Sequence, residues 1–390
     1  MRRSNIRSVA LIPDRLALYR YAIFKRLSDH RSNGFELTIF ADIDEDIPGL
    51  KLVDSKYCDK DYSNGGICWV RIKNIAIRNI CFWQTGLFRL AFFGEHDVHV
   101  YWGEAQRLST WLSAIFSRIR GKRVVFWGHG LYGNEGRFKG WVRCNFYRLA
   151  NAHLVYSDYG KDLLVGRKFE ADRIHTIKNS LDFRKQNEFF LNESFKATLP
   201  KSEFFSENDR ILLFVGRLEP QKRLHLLLEA LVILNKEHQE CYKLMIIGTG
   251  SQYDALVKLA DEANISEDVL FYGACYDDKI LAPLIMMADI CLSPGEVGLT
   301  ALHSLIYGTP VITHDNFSEQ MPEFEAIFPG ISGEFYNYGN IGDLCTKIKA
   351  IIGLVDTGVI NPTTCREAIL KSYNTEYQEG VFVQMLNSLK

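Results

Sequence analysis

SPGEVGLTALHSLIYGTPVIT, residues 293–313, is the stretch that decides how this chain folds. A strand-like run, Ile290-Cys291-Leu292, breaks at Ser293-Pro294-Gly295. Gly298-Leu299-Thr300 then opens an apolar helix, which Gly308-Thr309-Pro310 stops before a second strand, Val311-Ile312-Thr313. A turn that brings a helix N-terminus to the C-terminal edge of a strand offers free N–H groups and the positive end of the macrodipole to an anion. Upstream, LLFVGRLEPQKR (212–223) supplies a strand, a turn at Gly216 and two cations, Arg217 and Lys222. Read together, the two stretches predict a grip on a phosphate-bearing donor.

Outward from there the pattern repeats. ILLFVGR (211–217), KLMIIGTG (243–250) and VLFYGAC (269–275) are apolar runs ending in small residues, separated by helical stretches at about 222–236 and 251–263. A further helix is expected near 341–353. The N-terminal half alternates in the same way: SVALIP (8–13), a helix containing Tyr19 to Leu27, FELTIFA (35–41), DVHVYWG (97–103), a helix over Trp111–Ile119, RVVFWGHG (123–130), AHLVYSD (152–158) and IHTIKNS (174–180). Strands alternating with helices imply βαβ units and doubly wound parallel sheets, with ligands beyond the carboxyl ends of the strands. The expected division is an acceptor-side domain over 1–183, a polar, aperiodic linker over 184–209, and a donor domain over 210–365. A last amphipathic helix is expected over 366–390.

A length of 390 residues fits two domains, and 47% apolar with 24% charged residues is ordinary globular composition. No apolar run reaches membrane-spanning length, and the N-terminus lacks the apolar core of a secretory signal. Nine dispersed cysteines without a Cys-x-x-Cys pair read as reduced thiols of a cytoplasmic protein. The net charge of −1 hides an asymmetry: residues 1–183 hold 29 Lys and Arg against 19 Asp and Glu, and the remainder 17 against 28. Acids are absent from 67–94 and again from 105–134. A solvated basic face and an approach to an anionic membrane at its inner, peripheral surface both fit; a nucleic-acid partner lacks a recognition motif.

Arg217 at a strand end and Lys222 at a helix start can converge on one diphosphate, or form a surface pair beside a helix. Gly298, Leu299 and Thr300 offer backbone N–H groups and a hydroxyl to phosphate, or make a plain helix entry. Gly216, Gly248 and Gly250 permit close backbone approach, or simply turn the chain. His129, in WGHG, is placed for hydrogen bonding to sugar or for proton handling, and Glu296 and His303 for sugar and ribose hydroxyls. Asn179 is a polar strand end or a turn residue. ADIDED (41–46) could chelate a divalent metal through Asp42, Asp44 and Asp46, or be an acidic loop, and metal is redundant beside two cations.

GRLEPQK, Gly248-Thr249-Gly250 and GEVGLTALHSLIYGTPVI resemble the donor half of retaining GT-B-fold glycosyltransferases, of the family-4 type that builds bacterial surface polysaccharides. WGHGLYGNEGRFK, YSDYGKDLL and IKNSLD resemble the acceptor half of one branch of that family. The resemblance implies two Rossmann-like domains facing across a cleft, the terminal helix 366–390 packing back on the first of them, a nucleotide-diphosphate sugar as donor, a glycan or polyprenyl-linked acceptor, and no metal or other cofactor. It gives Arg217 and Lys222 to the diphosphate, Glu296 to the donor sugar and His129 to the active site. Cys275 and Tyr276 fall where the base is held, and Tyr19, Arg20 and Asn179 on the acceptor side. Where the family has a second glutamate for the ribose, this chain has His303, which offers one acceptor when neutral and none when charged. Two other readings are a nucleotide-sugar epimerase on the same frame and a non-catalytic sugar-nucleotide or glycan binding module.

Overall fold

A computed structural model describes residues 7–29, 34–43, 52–53, 66–77, 81–181, 183–192, 201–237 and 240–389. They divide into two compact units, 1–181 with 375–390 and 182–374.

The N-terminal unit is built on β1 (Arg7–Ile12), β2 (Phe35–Ala41) and β3 (Trp69–Arg71), a hairpin of β4 (Asn74–Ile77) and β5 (Cys81–Gln84), then β6 (Val98–Trp102), β7 (Arg123–Gly128), β8 (Ala152–Val155) and β9 (Ile174–Thr176). Its helices are α1 (Tyr21–Asp29), α2 (Leu87–Phe93), α3 (Leu108–Ile119), α4 (Arg137–Tyr147) and α5 (Asp158–Gly166). Seven strands form one parallel sheet in the order β3-β2-β1-β6-β7-β8-β9. Strand order reverses between β1 and β6, which makes their carboxyl ends the switch point of this sheet. The hairpin over 74–84 was not expected from sequence, because its exposed residues Ile75 and Ile77 carry no alternation of apolar and polar positions.

In the C-terminal unit β10 (Arg210–Val215), β11 (Tyr242–Ile247), β12 (Val269–Gly273), β13 (Ile290–Ser293), β14 (Val311–His314) and β15 (Gly333–Tyr336) pair in parallel in the order β12-β11-β10-β13-β14-β15. The helices are α6 (Phe183–Leu191), α7 (His225–Lys236), α8 (Tyr253–Glu262), α9 (Asp278–Met286), α10 (Thr300–Ile306), α11 (Ile341–Asp356) and α12 (Pro362–Leu370). Ile211 to Phe214 are buried on both faces of the sheet, as a parallel strand between helix layers requires. Here the reversal falls between β10 and β13, the two strands that carry the turns singled out in the sequence.

Two segments differ from the expected organisation. Phe183–Leu191, read as linker, is a helix of the C-terminal unit with Phe183, Gln186 and Phe189 buried. Arg366 of α12 stacks its guanidinium 3.8 Å from the Phe190 ring centroid and donates to the Ile306 carbonyl and the Asn187 side chain. The single terminal helix expected from 366 is two. α12 starts at the capping box Asn361/Thr364 and belongs to the C-terminal unit; α13 (Thr375–Ser388) belongs to the N-terminal unit. Arg26 of α1 pairs with Glu376 and Glu379 of α13, and Phe382, Met385 and Leu386 join the core around β1, β2 and β7.

Candidate functional site

Because β10 and β13 are neighbours, the turns that follow them meet. A Cβ on Gly295 would lie 2.0 Å from the Gln221 carbonyl oxygen and 2.8 Å from Lys222 Cα, so only glycine lets the two backbones touch. That contact sets Lys222 against the residue after Gly295: its Nζ donates to the Glu296 carbonyl at 2.8 Å and lies 3.4 Å from Glu296 Oε1. Burial pulls the lysine below its ordinary pKa; Glu296 opposes this and Arg217 adds to it. Arg217, by contrast, sits on the exposed part of the turn. The predicted pair is thus one fixed cation and one exposed one.

The β13 turn is held from below by residues the sequence reading did not single out. Gln320 accepts from the Val297 N–H at 2.9 Å and donates to Thr313 Oγ1 and the His314 carbonyl. Thr313 Oγ1 donates to the Ser293 carbonyl at 2.8 Å, and Tyr336 Oη donates to the Pro294 carbonyl at 2.6 Å. Glu323 is buried and acts electrostatically on Lys222. Gln320, Thr313 and Tyr336 lie 20 to 42 residues from their partners in the turn. Gly295→Ala is expected to force the turns apart, lower kcat/KM at least about tenfold and cost about 1–3 kcal/mol of stability. Melting curves and steady-state kinetics on the same preparation check this.

Gly216 and Gly248 hold the neighbouring strand ends close: Gly216 N–H donates to Ile247 O and Gly248 N–H to Gly273 O, while a Cβ on Gly248 would meet Gly216 O at 1.8 Å. Gly250 packs on the backbone of Leu218. The Thr300 hydroxyl, expected to face phosphate, donates to the Val215 carbonyl at 2.8 Å and ties α10 to β10. The helix entered at Leu299 and Gly298 (φ 24°) is only seven residues long, so its dipole is a smaller contribution than the sequence reading supposed. Cys275 and exposed Tyr276 lie in the loop after β12, where Cys275 Sγ reaches the Asp277 carbonyl. His303 is held below its ordinary pKa by burial, Asp278 opposing, and its Nδ1 is 3.4 Å from Gln186 Nε2. Gln186, in the stretch read as linker, is therefore a new neighbour of the position where the family has its ribose glutamate.

In the N-terminal unit His129 follows β7. Its ring stacks on Tyr132 (5.3 Å between centroids) and lies edge-on to Tyr156 (5.0 Å). Burial, with Arg20 and Arg143 adding, holds it down to about 3. A neutral imidazole offers one ring nitrogen as donor and the other as acceptor. Glu135 accepts from the N–H groups of Tyr132 and Gly133 and from Arg143, shaping the loop beyond the histidine. Arg20, 9% exposed, lies within 5.0 Å of the ring centroids of Tyr19, Trp102 and Tyr156, and its Nε donates to Tyr19 Oη at 2.9 Å. Tyr19 itself is exposed. Asn179 is buried in the strand-end loop that α13 clasps: Gln378 donates to the Lys178 carbonyl and accepts from Ser180.

Asp42 is a structural residue, buried and accepting from the Asn74 N–H at 2.7 Å. Asp44 and Asp46 lie outside the described residues. Among the described residues no group of three or more His, Cys, Asp or Glu is placed to hold a metal.

Residues 195–352, a stretch that falls in the C-terminal unit, match the family model described as Glycosyl transferases group 1. The lipopolysaccharide 1,6-galactosyltransferase of Salmonella typhimurium is 26% identical over 209 residues, 52% of this chain and 53% of that protein. The poly(ribitol-phosphate) alpha-N-acetylglucosaminyltransferase of Staphylococcus aureus is 22% identical over 265 residues, 67% of this chain and 49% of that protein. The chain thus spans about half the length of these curated relatives. Among solved structures, Anabaena HepE in complex with UDP superposes with a TM-score of 0.72 at 14% identity, covering 98% of this chain and 100% of that one. The architecture is the two-domain α/β fold of GT-B type.

Proposed function

We propose that this chain is a metal-independent, retaining glycosyltransferase. It moves a sugar from a nucleoside-diphosphate sugar to a hydroxyl of a glycan or polyprenyl-linked oligosaccharide in surface-polysaccharide synthesis, at the cytoplasmic side. The carrying observation is Lys222, half-buried and fixed beside Glu296 at the switch point of the C-terminal sheet. Lys222, with Arg217 joining from the exposed turn, neutralises the diphosphate as it departs. Glu296 accepts from a donor-sugar hydroxyl, and neutral His129 hydrogen-bonds sugar in the N-terminal unit. The group 1 domain and the complex of a similarly folded protein with UDP support the donor class. The names of the relatives, acting on lipopolysaccharide and poly(ribitol-phosphate), support the acceptor class.

A panel of nucleotides and nucleotide sugars, read by thermal shift, tests the donor. A ligand at 100 times its Kd adds about 2.7 kcal/mol of stability, and no shift from any nucleoside diphosphate would sink the assignment. Transfer is expected to be unchanged in excess chelator, because protein cations balance the leaving charge; strict dependence on added metal overturns that part. Donor hydrolysis that is lost in Glu296→Ala separates an enzyme from a binding module.

A further inference from the structure

α3 is built inside out. Its buried face is Ser109, Thr110, Ser113, Ala114 and Ser117, small residues that let the helix lie close on the sheet. Ser117 Oγ meets His99 Nδ1 at 2.7 Å, and Ser109 Oγ accepts from the Gln84 N–H at 3.0 Å. The opposite stripe, Leu108, Leu112, Ile115 and Ile119, follows the helical repeat and is exposed. A helix that only had to seal the core would turn those branched side chains inward.

α2 extends the same surface. Phe116 of α3 lies edge-on to Phe88 (5.0 Å) and Phe92 (5.8 Å), both themselves exposed. Arg120 donates to the Ala91 and Gly94 carbonyls, joining the C-terminal ends of the two helices. The sequence neighbours of these two joined residues are Ile119, 73% exposed, and Phe93, 69% exposed. The face is flanked by Arg89, Arg118 and Arg120, all exposed, and both segments that build it fall in the acid-free runs 67–94 and 105–134. Among the described residues no helix is long and apolar enough to cross a membrane.

We infer that the α2–α3 face is a docking surface for an anionic phospholipid bilayer, with Phe93 and Ile119 entering the acyl boundary and the arginines meeting lipid phosphates. An apolar face rimmed by one sign of charge matches that interface in both layers, whereas a second copy of this chain would set like charges against each other. The inference stands apart from the reaction proposed above, since partition is read without substrate. The test is co-sedimentation of the full chain with vesicles of phosphatidylcholine alone or with 30% phosphatidylglycerol (about that fraction suffices to charge the surface). Wild type should pellet with the anionic vesicles and less at high salt. Phe93→Asp combined with Ile119→Asp should partition at least about tenfold more weakly while melting like wild type, because both side chains are exposed. Arg89→Gln should reduce the preference for anionic lipid and leave folding untouched. Absence of wild-type binding, or binding indifferent to the double substitution, overturns the inference. So does a wild-type dimer in light scattering that the double substitution dissociates without any vesicle binding.

Discussion

Lys222→Ala is expected to lower kcat/KM for sugar transfer by roughly 30- to 1000-fold, about 2–4 kcal/mol of transition-state stabilisation, with the fold intact. The magnitude follows from where the charge sits. Lys222 is half-buried, held by the Glu296 carbonyl and carboxylate, and set there by the glycine contact at 295, so it meets a developing diphosphate charge without reorganising. Arg217 is exposed and has to be ordered on each encounter, so Arg217→Ala should cost less than Lys222→Ala. Lys222→Arg should not rescue, since a planar fork cannot reproduce a point charge packed against one carbonyl. Steady-state kinetics of the three variants, with melting curves alongside, decide the matter. Near-normal turnover in Lys222→Ala would remove the central cation from the mechanism.

The N-terminal unit should lose stability steeply in mild acid. His99 and His153 are fully buried and both held down to about 3, His99 by burial and then by His96, Lys122 and Arg120, and His153 by burial and then by His175. In the unfolded chain each takes its proton near 6.5, so between about pH 6.5 and 3 the unfolded state binds protons that the native state refuses. Stability is therefore complete above about pH 6.5 and falls as the pH drops, by roughly 1.4 kcal/mol per pH unit for each histidine. At pH 5 the two together remove roughly 4 kcal/mol, a large share of what a typical domain has. Urea midpoints measured from pH 7.5 to 5 should show the decline, and His153→Phe should make it shallower by about 1.4 kcal/mol per pH unit. A flat profile over that range would mean that both rings protonate in place.

Much of the fold was legible because buried parallel strands announce themselves as apolar runs closed by small residues; 211–217 and 243–250 needed no more than that. The site was legible where the backbone itself makes it. Gly216 and Gly248, read as positions of close backbone approach, lie where strand ends touch, whereas Gly295 stood in the sequence only as the end of a strand. What stayed hidden was tertiary. Gln320, Thr313 and Tyr336 act on the β13 turn and Glu323 on Lys222, all from later elements, and no spacing rule connects them. Phe183–Leu191 passed for a linker because its buried face carries Gln186 among the phenylalanines and is fastened by an arginine from α12. α3 showed helical spacing in the sequence, but nothing in a periodic pattern tells which stripe faces water, and here it is the apolar one.

The passage of α13 into the N-terminal core also orders events in time. Residues 182–374 are contiguous, and every strand of their sheet has been synthesised once β15 is complete. The N-terminal unit lacks Phe382, Met385 and Leu386 until the residues after 374 have left the ribosome. Synthesis runs from the N-terminus, yet the domain made first is the one that finishes last. Until then the apolar floor under β1, β2 and β7 stays open, a nascent surface for a chaperone to hold during translation of the whole second half.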